Sequence, residues 1–231
     1  DLARWEFGLP FAERVVRNGL METEEQASST APQSSLDRQN HFDGPGEQTI
    51  WDAWRTGVIG FGLASLAVFG SWAFLGKWFY GTLGEAGAYI VWLVMYLGIG
   101  CESMKGLIPG DNQRLRFFKI FSSSFAAYAL LWIVIWMSFR NATGEWLAAV
   151  FGSLGMAMLI CSAFKNFKEW QRVWIVLAIS NTTGYFIGSW LHARIPMPWG
   201  AVAWGVAYGF FFGGGIGPAF WFARTGGAQS R

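Results

Sequence analysis

The residues best suited to chemistry form a single run, Ser180-Asn181-Thr182-Thr183-Gly184-Tyr185. Hydroxyls, an amide and a phenol packed this closely offer hydrogen-bond donors and acceptors but no charge. Such a set suits a neutral polar solute, a lipid headgroup or a pigment carbonyl. It does not suit metal binding or acid–base work. The same run also has a structural reading. Ser and Thr hydroxyls can bond back to their own helix, and the Asn181 amide can bond to a neighbouring one.

Other residues extend the candidate site. GFFFGGGIGPAF, residues 209–220, sets Gly213, Gly214 and Gly215 ahead of Gly217 and Pro218. Glycine weakens a helix and proline removes a backbone donor. The segment therefore reads either as a hinge or ligand-lined break, or as a kinked packing helix. His192 reads either as an interfacial residue or as a candidate axial ligand for a haem or another pigment, without the opposed second histidine that a bis-histidine haem needs. Glu102 stands beside Cys101 and is expected to pair with Lys105 or Arg114. Cys101 and Cys161 form no metal or redox pattern. Asn141-Ala142-Thr143 matches a glycosylation sequon. No metalloprotease, phosphate-loop or dinucleotide motif occurs, no catalytic residue is assigned, and no metal site is expected.

These residues must be positioned by apolar segments. Six follow one another, predicted at 56–75, 86–101, 120–139, 146–164, 173–191 and 199–223, and none has a charge in its central part. Each approaches the length needed to cross a hydrocarbon core of about 30 Å as a helix. The composition agrees: 53% of the 231 residues are hydrophobic and only 14% charged, against about 25% charged in a soluble domain. Many of the 15 tryptophans lie at segment ends, where interfacial anchors sit. Small residues in the first, fourth and sixth segments would let helices approach closely.

The loops set an orientation. Lys105, Arg114, Arg116 and Lys119 follow the second segment, and Lys165, Lys168 and Arg172 follow the fourth. Arg55 and Arg224 belong to the same side. The opposite loops hold Lys77, Arg140 and Arg194, one each. The excess of positive charge places both termini on the cytoplasmic side, or on its organellar equivalent. Residues 1–50 read as a polar arm: an amphipathic stretch to Met21, able to lie on a membrane or dock on a partner, then a polar linker. Asp1 to Leu20 lacks the apolar core of a secretory signal.

The stretch GYFIGSWLHARIPMPW, residues 184–199, resembles a segment of fungal integral-membrane terpene cyclases, with Glu102 at the acidic position of their second span. That family has seven spans and a second acid in the last one. This chain is read with six and no acid in the sixth, so no membership is assigned.

The fold expected is thus an all-α integral membrane bundle of about six spans, with both termini inside. It divides into an arm and linker (1–50), a membrane domain (51–224) and a short tail (225–231). The function expected is that of a non-catalytic polytopic subunit of a larger respiratory, photosynthetic or translocating complex. Its arm and small-residue faces would meet other membrane subunits, and lipid or pigment is the expected bound group. The alternative is a channel, transporter or binding component for a small neutral solute or lipid, using the polar run and the Gly-rich sixth segment. A membrane enzyme comes third. A bacterial inner membrane is the expected location, with an organellar membrane as the alternative. A formal net charge of +2 gives no sign of a nucleic-acid partner.

Overall fold

The computed structural model describes residues 48–110 and 112–225. The expected arm, apart from its last residues, and the tail beyond Thr225 lie outside the described residues. Those described form five α-helices joined by short turns: α1 (Ile50–Met104), α2 (Gln113–Phe139), α3 (Ala142–Ala163), α4 (Trp170–Arg194) and α5 (Trp199–Thr225). No strand occurs among them. Four helical stretches are long and apolar enough to cross a membrane: Ile50–Leu107, Gln113–Phe139, Ala142–Ala163 and Trp199–Thr225. The chain has the architecture of a polytopic membrane protein. α4, at 25 residues, is long enough but too polar to join that set.

α1 starts with a capping box. Thr49 Oγ1 accepts from the Asp52 N–H, and the Asp52 carboxylate accepts from the Thr49 N–H. Two of the donors that a helix start leaves open are satisfied in this way. Gly84 interrupts the helix at φ 69°, ψ 178°, a backbone state that L side chains rarely adopt. The two limbs then run antiparallel. Tyr96 donates to Ser65 Oγ at 3.3 Å and the Trp92 indole to Ser71 Oγ at 3.0 Å, while Phe61 stacks on Tyr96. The first two predicted segments are therefore the limbs, 50–83 and 85–104, of one folded helix.

α5 is the central element. It packs on α1 along one side and on α4 along the other. Gly215 to Phe220 are all buried in sequence, so every face of this stretch is enclosed, the mark of an interior helix. The glycines permit this. A methyl at Gly217 would strike the Ala53 carbonyl, and one at Gly209 would come within 2.8 Å of Gly62 Cα. The expected alternative of a broken sixth segment is not what forms: α5 is one continuous helix with Pro218 inside it. Its glycines serve close approach, and the enclosing helices hold the proline turn in register.

α2 and α3 form a second hairpin, with Gly152 seated against the Tyr128 ring. Asn141 caps α3 by accepting from the Gly144 N–H at 2.9 Å. The sequon asparagine thus has a local structural task. At one end of the bundle, Arg224 donates to Gln48 Oε1 at 3.0 Å and to the Leu107 carbonyl at 3.3 Å. The Trp221 indole donates to the Gln48 carbonyl at 3.0 Å, and the buried Asn166 amide to the Ala223 carbonyl at 3.0 Å. The start of α1, the α1–α2 and α3–α4 turns and the end of α5 therefore share that end. At the other, Phe74 meets Trp199 and Trp72 meets His192.

The glycines separate by environment. Gly217→Ala would force α1 and α5 apart, and should lower unfolding stability by about 1–3 kcal/mol, as overpacking does. Nothing lies within 4 Å of a methyl built at Gly62. Gly62→Ala should be neutral or stabilising by up to about 1 kcal/mol through helix propensity. Thermal unfolding of both variants in one detergent checks the contrast; equal effects would show that close approach does not govern this packing.

Candidate functional site

Asn181 lies near the middle of α4 and is 0% exposed. An amide carbonyl has two lone pairs, and both are taken. Asn181 Oδ1 accepts from the Tyr128 hydroxyl of α2 and the Tyr208 hydroxyl of α5, each at 3.1 Å. Its Nδ2 donates to the Ala149 carbonyl of α3 at 3.3 Å. The two phenol oxygens are 3.3 Å apart. One amide therefore ties four helices together where no water competes.

A second polar tie lies between α1 and α5. Ser65, fully buried, donates to the Gly205 carbonyl at 2.8 Å and accepts from Tyr96. Ser65 and Tyr208 both border Phe61 and its aromatic neighbours. Phe61 packs on Tyr96, Tyr208 and Phe212, and Phe125 packs on Tyr96 and Tyr128. The two ties are thus separated by rings. They are not joined by a chain of hydroxyls.

The rest of the polar run disperses around α4. Ser180 donates back to the Val176 carbonyl at 2.6 Å, and its side chain lies where a methyl on Gly215 would sit. Thr182 and Thr183 are half-buried, and Thr182 Oγ1 is a buried hydroxyl without a hydrogen-bond partner among the described residues. Tyr185 packs among Trp132, Phe186 and Trp204. Of the three glycines grouped with this run, only Gly215 meets it. Gly213 faces Gly57 and Phe61, and Gly214 faces Trp54 and Val58, all on α1.

His192 stands apart, at the opposite end of the bundle from Arg224. Its ring lies between Trp72 and Trp204, with centroids 5.7 and 5.3 Å away. Its Nδ1 is buried with no hydrogen-bond partner among the described residues. A ligating imidazole ordinarily donates its other N–H to an acceptor, and none faces Nδ1 here. Glu102 is exposed at the Arg224 end, where it pairs with Lys105 and, at 2.9 Å, with Arg114 Nε. No group of three metal-ligating side chains occurs among the described residues.

Several residues here were not singled out from the sequence. Tyr128 and Tyr208 are the only tyrosines in their helices. A single phenol hydroxyl among Phe and Trp rings is the signal that could have found them. Glu145, in the first turn of α3, is 9% exposed and has no hydrogen bond or ion pair among the described residues. It lies one residue ahead of the predicted fourth span.

No protein family, curated protein or solved structure matches this chain.

Two sets of substitutions test these assignments. Asn181→Leu leaves two phenols without their acceptor and a buried carbonyl without its donor. It should cost about 1–3 kcal/mol. Tyr128→Phe and Tyr208→Phe should each cost less, and a double-mutant cycle of Asn181 with either tyrosine should show clear coupling. Additive effects in thermal unfolding would remove the network. Glu145→Gln should raise the melting temperature at neutral pH, because a buried carboxyl without a partner is costly to fold. A lowered melting temperature would mean that Glu145 has a stabilising partner.

Proposed function

We propose that this chain is a non-catalytic polytopic subunit of a larger membrane complex. It crosses the membrane six times, with both termini on the cytoplasmic side of a bacterial inner membrane. Six spans follow if each limb of α1 crosses separately and α4 crosses under cover of its neighbours. The antiparallel limbs support the first condition, and burial of Asn181 supports the second. The basic turns at the Gln48–Arg224 end support the orientation.

The observation that carries the functional reading is the saturation of Asn181. Its amide is held by Tyr128, Tyr208 and Ala149, and α4 and α5 meet through Gly184, Gly188 and Gly215 against opposing side chains. A solute pathway needs polar groups left open to the solute, and these are used within the protein. Large apolar side chains such as Trp78, Ile90, Leu130 and Ile179 cover the outside, giving a surface suited to lipid and to other helices. The alternative, a binding or transport component for a small neutral solute, is favoured by one group, the unpartnered Thr182 hydroxyl.

Mild extraction from the native membrane, followed by a native gel and mass spectrometry, tests the proposal. The chain should migrate with other subunits in fixed stoichiometry. A lone monomer or homo-oligomer would overturn the subunit reading and favour the transport alternative. Labelling Lys168→Cys and Arg140→Cys from opposite sides of sealed vesicles tests the six-span topology separately. The two positions should react from opposite sides.

A further inference from the structure

We propose that the groove between the C-terminal limb of α1 and the start of α2 binds an anionic phospholipid, with the headgroup phosphate at Arg114 and an acyl chain along Gly98, Leu115 and Phe118. The groove measures about 420 Å³, and Glu102 and Asn112 line it beside Arg114. Its two halves differ in chemistry. Towards the turn it is polar and cationic. Towards the middle of the helices it is apolar: Leu115 and Phe118 are exposed, and a methyl on Gly98 would meet nothing within 4 Å. Gly98 thus leaves a trough beside two apolar side chains, the shape and polarity of a lipid tail.

The charge fits an anion. Arg114 is 78% exposed on its side chain and pairs with Glu102 through Nε. That pairing orients the guanidinium, and its terminal nitrogens, which have no other partner among the described residues, offer a planar fork suited to a phosphate. Glu102 itself is shared with Lys105, so the three groups together keep one positive charge. In sequence, the turns and adjoining helix starts at this end carry seven Lys or Arg, from Lys105 to Lys119 and from Lys165 to Arg172, against Glu102, Asp111 and Glu169. Basic pockets between helices on the cytoplasmic side select anionic headgroups. The inference uses the proposed orientation only to set the groove at the headgroup level of the inner leaflet; it does not depend on the subunit reading.

The test is native mass spectrometry of the purified full chain in detergent, with phosphatidylglycerol or phosphatidylcholine added in equal amounts. One phosphatidylglycerol should be retained per chain in preference to phosphatidylcholine, and retention should fall as salt is raised. Arg114→Gln should weaken retention about fivefold. Gly98→Trp, which fills the trough and alters no charge, should weaken it by a similar factor. Lys168→Gln, a basic residue of the other turn, should leave it unchanged. Equal retention of the two lipids, or retention unaffected by both Arg114→Gln and Gly98→Trp, would overturn the proposal. So would equal loss in Lys168→Gln, which would indicate diffuse charge without a groove. Melting temperatures measured alongside identify a variant that fails to fold, and the other variant then decides. Because the readout is lipid mass on an isolated chain, it is independent of whether partner subunits exist.

Discussion

α5 can stand this close to α1 and α4 because glycines line its closest approaches to both. Gly209, Gly213 and Gly217 meet the α1 backbone directly, and Gly215 receives Ser180 of α4. In a membrane there is little hydrophobic drive to bring helices together, because lipid is as apolar as leucine. Association relies on van der Waals contact, and contact improves as backbones come closer. The rest of the bundle is arranged around this requirement. The α1 hairpin lies on one side, α4 on the other, and α2 and α3 complete the enclosure through α4.

Close approach leaves polar atoms in a medium without water, and each must find a partner within the protein. The bundle meets this demand with few polar residues. Asn181 gathers Tyr128, Tyr208 and Ala149, and Ser65 joins Tyr96 to the Gly205 carbonyl. Each tie spans helices that are distant in sequence. A register error in α2, α4 or α5 would leave a buried phenol or amide without its partner. These ties therefore specify which helix faces meet, while the glycines set how closely they meet.

The apolar segments were legible in the sequence because hydropathy and span length are local properties. The predicted segments at 120–139, 173–191 and 199–223 fall within α2, α4 and α5, and that at 146–164 overruns α3 by one residue. That the first two segments are limbs of one helix was not legible, since the φ of Gly84 is one glycine's choice among 30 glycines in the chain. Glu102 was legible as a partner of Lys105 and Arg114 because all three lie within one turn region. Asn181 stood out as a polar residue in an apolar segment, but its partners did not. Tyr128 and Ala149 reach it from other helices, and a backbone carbonyl has no sequence signature. The continuity of α5 through GGGIGP was obscured for a similar reason. Intrinsic propensity argues for a break, and only the surrounding helices overrule it.

The clasp of Arg224 and Trp221 on Gln48 gives the chain a temporal asymmetry. The glycine face of α1 is made well before the helix that fits it. At ordinary elongation speeds α1 waits on the order of ten seconds for α5. During that interval lipid or the insertion machinery must cover the face that α5 will occupy. α5 enters after the other four described helices, as a wedge between α1 and α4. Loss of α5 would therefore remove the piece against which α1 and α4 are both seated.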